Sequence, residues 1–209
     1  PPVHEPARHF AALESALAGH PAHRLRPAAE ALAAQIFAAA AAMPQLPDTP
    51  PRIVHGDPKI SNLVFAAEDG EGLCLVDLDT LGRMALPFEL GDAMRSWCSV
   101  SCEDDPGGRF CAERFAAAVS GYAGVAHGWW TAAEQASVLV ATAIIQLELA
   151  ARFCADALNE SYFGWNASLF ASRGDHNLAR AQGQVALHRS LLAQQGLLEQ
   201  ALERVTGPA

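Results

Sequence analysis

Asp57, Asn62 and Asp77 are the residues whose types and spacing best suit a reaction. Four residues separate Asp57 from Asn62 in the run His55-Gly56-Asp57-Pro58-Lys59-Ile60-Ser61-Asn62, and Asp77 follows a short apolar stretch. This is the layout of a phosphoryl-transfer loop: a carboxylate faces the attacking hydroxyl while an amide oxygen reaches back to a metal. In such chemistry the protein mainly positions groups and neutralises charge, so a few oxygen ligands on a rigid loop suffice. Lys59 lies between them and can set its ammonium on the transferring phosphate as a point charge. Magnesium is usually held by one or two carboxylates plus substrate phosphates. Asn62 and Asp77 are expected to supply the protein's share. Asp79 is open to two readings, a further metal contact or an acceptor that orders the loop. His55 is expected to brace the backbone rather than move protons. Each piece alone could be a turn or a cap; the reading rests on loop, hairpin and terminal aspartate occurring in that order.

The elements around these residues must hold them. Ile53-Val54 reads as the end of a strand, and Gly56 allows the sharp turn that follows it. Leu63-Val64-Phe65 and Leu73-Cys74-Leu75-Val76 read as a hairpin around the turn signal Glu68-Asp69-Gly70, which returns Asp77 beside Asn62. The rest reads as helices over residues 8–17, 27–43, 88–98 and 109–122, with prolines 44, 47, 50 and 51 as a stiff connector. Asp92 and Arg95 are spaced to pair one turn apart. Thr131-Ala132-Ala133-Glu134 is a capping box opening a long helix towards Asn159. Its middle is apolar on nearly all sides, which predicts a central position. Gln146 and Glu148 interrupt that run; hydrogen bonding or an edge position is expected, with a cleft wall as the sharper alternative. A final helix is expected from about His176 towards Val205. Trp129 and Trp130 read as packing, Trp165 as packing or a stacking platform, and Arg173, Asp175 and His176 as a cap or a cleft lining.

Composition bounds the partners. The chain has 209 residues, 51% of them hydrophobic, enough to bury a sizeable core. A net charge of −9 without a basic run argues against nucleic acid. Five cysteines without framework spacing point to a reduced, cytoplasmic setting, and Cys98, Cys102 and Cys111 lack a paired C-x-x-C for zinc. No stretch reads as long and apolar enough to cross a membrane, and no signal-like N-terminus is visible.

The runs His55–Phe65 (HGDPKISNLVF) and Leu75–Arg95 (LVDLDTLGRMALPFELGDAMR) resemble the phosphotransferase enzyme family of aminoglycoside, choline and sugar kinases. A second block, Glu148–Phe163 (ELAARFCADALNESYF) and Gly174–Gln184 (GDHNLARAQGQ), is similar to the N-acetylhexosamine 1-kinase branch. The resemblance implies Asp57 as catalytic base, Asn62 and Asp77 as magnesium ligands, and Arg152 and Tyr162 as acceptor contacts. It also implies ATP as phosphoryl donor. Three positions depart from the pattern: Glu89 stands for a usual Asp, Gly183 for a usual Thr and Ala157 for a usual Tyr. The longer acid at 89 is expected to shift the start of the helix supporting the loop.

The expected fold is α+β: the mostly helical C-terminal lobe of a protein-kinase-like fold, with a small β-hairpin carrying the catalytic loop. Residues 1–51 would be helices and connector, and residues 52–209 the catalytic and acceptor-binding part of one domain. Nothing before His55 reads as a strand-rich nucleotide lobe with a phosphate-gripping lysine. The chain is therefore expected to represent one lobe of a longer enzyme and to bind ATP poorly alone. The predicted activity is transfer of the ATP γ-phosphoryl, with Mg2+, to a small hydroxyl acceptor, a sugar such as an N-acetylhexosamine. Asp57 and Lys59 form the catalytic set, Asn62, Asp77 and Asp79 the metal set, Arg152 and Tyr162 the acceptor set, and His55 and Asp92 the loop support. Alternatives are an aminoglycoside- or choline-type kinase, a pseudokinase-like binding module, or an interaction protein that homodimerises through alanine-rich helices.

Overall fold

The structure is a computed structural model and describes residues 4–206. Among these residues, eleven regular elements run in the order α1 (Pro6–Gly19), α2 (Arg26–Ala41), β1 (Pro51–Val54), β2 (Leu63–Phe65), β3 (Gly72–Leu75), β4 (Gly82–Ala85), α3 (Leu86–Trp97), α4 (Ala112–Ala126), α5 (Ala132–Asn159), α6 (Arg173–Leu192) and α7 (Gln195–Thr206). Short 3-10 turns at Ile60–Asn62 and Leu78–Thr80 flank the β2–β3 hairpin. The strands form two separate antiparallel pairs, β1 with β4 and β2 with β3. The architecture is α+β, with helices dominating.

α5 is the axis of the molecule. Its start is set by the expected capping box: Thr131 Oγ1 accepts from Glu134 N at 3.3 Å, and Glu134 Oε2 accepts from Thr131 N at 2.8 Å. Its first half packs with α3, α4, α6 and α7 around Phe115, Val138 and Leu198. Its second half packs with α1, α2 and α6 around Leu13, Ile36 and Phe153. Burial on every face explains why the run shows no polar stripe. That same feature makes α5 long and apolar enough to cross a membrane by length and composition, contrary to the sequence expectation that no stretch qualifies; 78% of its most apolar window is buried inside the protein.

Other expectations shift at their edges. α3 begins at Leu86, two residues early, because β4 leads straight into it with Pro87 in its first turn. α4 begins only at Ala112, since residues before it run extended and Phe110 bridges to Ser99. The last helix is two helices. Gln194 ends α6 by folding its amide back onto the carbonyls of Phe110 and Ser190, both at 2.9 Å, and α7 then packs against α4. β4, four residues including Gly82, is too short and mixed to read as a strand from sequence; it pairs Arg52 with Met84 and Val54 with Gly82.

β1 is tied to the start of α5. Arg52 donates from Nε and Nη2 to the fully buried Glu134 carboxylate, at 2.5 and 2.9 Å, and from Nη2 to Trp129 O at 2.8 Å. Its guanidinium also lies 4.8 Å from the Trp129 ring, so Trp129 packs as expected. Burial alone would raise the Glu134 carboxyl, but Arg52 and the Thr131 donors hold it below the usual range. Arg52→Ala leaves that carboxylate without its counter-ion while Thr131 still donates. A clear drop in the urea midpoint at neutral pH is expected. Arg83→Ala on the paired strand should drop it far less, because among the described residues Arg83 reaches only Pro51 O, at 3.4 Å.

Candidate active site

The loop that carries Asp57 is held from three sides. From α3, Glu89 accepts the backbone N–H groups of His55 and Gly56, each at 2.9 Å. Ser96 Oγ accepts from Ile60 N at 2.9 Å, and Trp97 Nε1 donates to Pro58 O at 2.7 Å. From the hairpin end, Val76 O lies 2.9 Å from His55 Nε2, and His55 Nδ1 takes the Asp57 N–H at 3.3 Å. From the second 3-10 turn, Thr80 Oγ1 donates to His55 O at 2.8 Å. Gly56 completes the turn with φ +86°. His55 thus braces backbone, as expected. Asp92 does not hold the loop directly: it pairs with Arg95 Nε at 2.8 Å, and the support expected of it comes from Glu89. The longer acid spans from the first turn of α3 to two loop amides.

Within the loop, Lys59 Nζ pairs with Asp57 Oδ2. Asn62 donates its Nδ2 to Asp57 O at 2.9 Å and to Asp57 Oδ2 at 3.3 Å. The amide oxygen of Asn62 makes no hydrogen bond to a described residue. Val76 N donates to Asn62 O at 2.9 Å, so the hairpin delivers Asp77 next to Asn62. Asp77 has φ 66° and ψ 62°. A non-glycine residue there costs about 1–2 kcal/mol and persists only where its surroundings impose it. Asp77 and Asp79 are both exposed.

Asp57 opens on a cleft of about 580 Å³ between the loop, α3, the middle of α5 and the turn after α5. Lys59, Asp92, Arg95, Glu148, Arg152 and Tyr162 line it, so the expected catalytic and acceptor residues share one cavity. Asn62, Asp77 and Asp79 do not line it. Asn62 instead meets Asp57 directly, its Nδ2 3.3 Å from Oδ2, and Asp77 and Asp79 lie on the exposed end of the hairpin. The residues present suit a hard cation. Asn62 offers an amide oxygen fixed by its own nitrogen, and Asp77 a carboxylate without a partner among the described residues, the oxygen-donor type that magnesium takes. Among the described residues no three His, Cys, Asp or Glu side chains group as a metal cluster, and Cys98 is a buried thiol that burial pushes up to about 12.

The far wall of the cleft is only partly readable in the sequence. Asp156 accepts from the backbone N–H groups of Ser161, Tyr162 and Phe163 at 2.8–2.9 Å and from Asn177 Nδ2 at 2.9 Å. With Glu160 left-handed, this folds the turn that brings Tyr162 and Phe163 to the cleft. Arg152 lies over the Phe163 ring at 5.5 Å. Glu148, 1% exposed, takes His4 Nδ1 at 3.0 Å and His9 Nε2 at 3.8 Å, while its Oε2 has no hydrogen bond to a described residue. Glu148 is thus both hydrogen-bonded and in the cleft wall. Gln146, expected at an edge or bonded, is fully buried with both amide atoms unpartnered among the described residues. Trp165 lies outside the cleft lining. His4, Glu103 and Asp156 carry no sequence signal of a role.

The cap of α6 is Ser172, not the expected Asp175: Ser172 Oγ accepts the Asp175 N–H at 3.1 Å, and Arg24 grips the Asp175 carboxylate in the first turn at 2.6 and 2.9 Å. The departures also have physical reasons. A Cβ at Gly183 would collide with Asp105 O, so the 104–108 loop can lie on α6 only over glycine. Ala157 is fully buried in the core that α5 shares with α1, α2 and α6.

Burial raises the Glu89 carboxyl above its ordinary 4.5, against the opposing pull of the Gly56 and His55 amides. A raised folded pKa means the native state binds the proton more tightly than the unfolded chain. Its contribution to stability is complete below 4.5 and is lost as pH rises through the raised value. The stability of the wild type relative to Glu89→Gln should therefore fall as pH rises from acid to neutral, measured by urea unfolding across that window. A flat difference would contradict it.

The phosphotransferase enzyme family model matches residues 1–127, more than half of the chain and the whole of the loop, hairpin and α3. The chain belongs to the phosphotransferase enzyme family, and its chemistry is phosphotransfer of the kinase type.

Proposed function

We propose that the protein transfers the γ-phosphoryl group of ATP to a hydroxyl of a small acceptor, a sugar of the N-acetylhexosamine type. The observation that carries this is Asp57, joined to Lys59 and Asn62 on a loop braced by Glu89, at the mouth of a cleft that also holds Arg152 and Tyr162. Asp57 orients the acceptor hydroxyl and takes its proton. Lys59, the only lysine of the chain, moves its ammonium from Asp57 towards the transferring phosphoryl. Asn62 and Asp77 hold Mg2+, and Asp79 stands next to them on the same turn. A bound magnesium ion would neutralise charge on the donor phosphates. Arg152 and Tyr162 position the acceptor; Tyr162 is 73% exposed and free to close over it.

We further propose that this chain supplies the catalytic and acceptor-binding lobe, in a reduced cytoplasmic setting. Val64, Phe65, Leu73, Leu75, Leu78 and Leu81 are all exposed around Asp77, an apolar face suited to a covering nucleotide-binding unit. Before β1 the described residues form only the helices α1 and α2 and their connector.

A phosphorylation screen with Mg-ATP over hexosamines, hexoses, choline and aminoglycosides tests the acceptor. A product with a hexosamine is expected; no product with any sugar removes the sugar reading. Calorimetry of this chain with Mg-ATP tests the lobe reading. Weak binding, millimolar or poorer, is expected, and micromolar binding would overturn it.

A further inference from the structure

The run His176-Asn177-Leu178-Ala179-Arg180 puts three polar side chains in the first turns of α6, and all three bear on the turn after α5. Asn177 reaches it through Asp156. His176 is 1% exposed; its Nδ1 takes the Asn166 N–H at 3.1 Å, its ring stacks on Phe170 at 4.1 Å, and its Nε2 lies 2.7 Å from Asp104 Oδ1. Arg180, one turn further on, donates from Nε to the same Asp104 oxygen at 2.7 Å and from Nη1 to Gly164 O at 2.8 Å. Its guanidinium also lies 5.6 Å from the Phe153 ring, against which Phe163 packs at 4.4 Å.

Asp104 belongs to a different segment, the connection between α3 and α4. That connection approaches α6 over two glycines: a Cβ on Gly108 would sit 2.1 Å from Gly183 O. Both segments line the acceptor cleft, one through Glu103 and the other through Tyr162, Phe163 and Gly164. Arg180 thus joins the neighbour of Glu103 to a residue of the opposite segment, and His176 makes the same crossing one turn earlier. Burial works to raise the Asp104 carboxyl, but Arg180 and His176 hold it below its ordinary range, so it stays a carboxylate between them at neutral pH.

We propose that Arg180 is a positioning residue for the acceptor: its two arms lock the turn after α5 to the α3–α4 connection, so that Tyr162 and Glu103 meet the acceptor as one unit. The role rests on the sugar-acceptor reading above and adds what fixes the acceptor side of the cleft. A guanidinium suits it because its donors diverge in a rigid plane; a lysine ammonium keeps the charge beside Asp104 but not both contacts. The second crossing through His176 means that loss of Arg180 loosens the clasp without unfolding it.

Hydrogen exchange and calorimetry on this chain test it, with N-acetylglucosamine as probe. Arg180→Met keeps a long stem over Phe153 and removes both arms. Amides in 99–105 and in 161–166 are expected to exchange about fivefold faster together, while those in 55–62 hold their rates. Affinity for N-acetylglucosamine should fall about tenfold. In Arg180→Lys, 161–166 should still speed up while 99–105 stays protected, with affinity again reduced. Both variants should keep a cooperative thermal transition; if Arg180→Met loses it, unchanged exchange and affinity in Arg180→Lys overturn the role. So does unchanged affinity in a folded Arg180→Met, or exchange that rises in one segment only. Asp104→Asn in the Arg180→Met background separates position from charge: recovered affinity would trace the loss to an unpaired carboxylate and overturn the role as well. Failure of the wild type to bind N-acetylglucosamine would remove the sugar reading, and the exchange result alone would then decide the clasp.

Discussion

Asp57→Asn is expected to lower kcat by roughly 10²–10⁴-fold, the range that a positioned general base contributes. The substitution is nearly isosteric, and the packing around it is not at risk: the loop is fixed through backbone groups of residues 55, 56, 58 and 60, none of which uses the Asp57 side chain. What changes is charge. The Asp57 carboxylate is paired with Lys59 and receives the Asn62 amide at 3.3 Å. An asparagine cannot take the acceptor's proton, and it releases Lys59 from its partner. Acceptor KM should move little, because Arg152 and Tyr162 line the cleft independently of this charge. The check is steady-state kinetics with the acceptor identified by the screen, beside a thermal transition within a few degrees of the wild type. Wild-type turnover in a folded variant would refute the role.

How much of this is legible in the sequence follows from the range of the interactions involved. The loop, the hairpin, the Thr131 capping box and the Asp92–Arg95 pair are local, spanning one turn or one hairpin, and each lies where its spacing puts it. The groups that hold the loop are not local. Glu89 reaches it from more than thirty positions away, and nothing about a glutamate in a first helical turn announces two distant backbone donors. The same holds for Asp156. In sequence it is an acid at the end of an apolar helix; in the fold it organises the turn that presents Tyr162. α5 hides its own polarity. On a helix buried all round, Gln146 and Glu148 stand at equivalent depth, yet only Glu148 meets His4 and the cleft. That Arg152 and Tyr162 line the cleft with Asp57 while Asn62 and Asp77 do not depends on how distant elements pack around the loop. Spacing alone does not resolve it.

Gly56→Ala is expected to destabilise the protein by about 2–4 kcal/mol and to cost on the order of 10²-fold in kcat. Two effects add at this position. With φ +86°, an L side chain is strained wherever it is placed. A Cβ there would also lie 2.5 Å from Thr80 O and 3.0 Å from Thr80 Cβ, so the two chain segments must part. Parting them stretches the Thr80 Oγ1 bond to His55 O, and with it the turn that aims Asp57. A shift of about 1 Å at a reacting carboxylate is enough for the predicted rate loss. Gly70→Ala separates the two effects. Gly70 has φ +75° but nothing within 4 Å of where its Cβ would sit, so it carries the strain without the collision. That variant should lose only about 1 kcal/mol and keep its kcat, since the hairpin tip bears no group of the site. If the two variants lose stability and turnover alike, the loop is not held by its close approach to Thr80, and the aim of Asp57 must come from elsewhere.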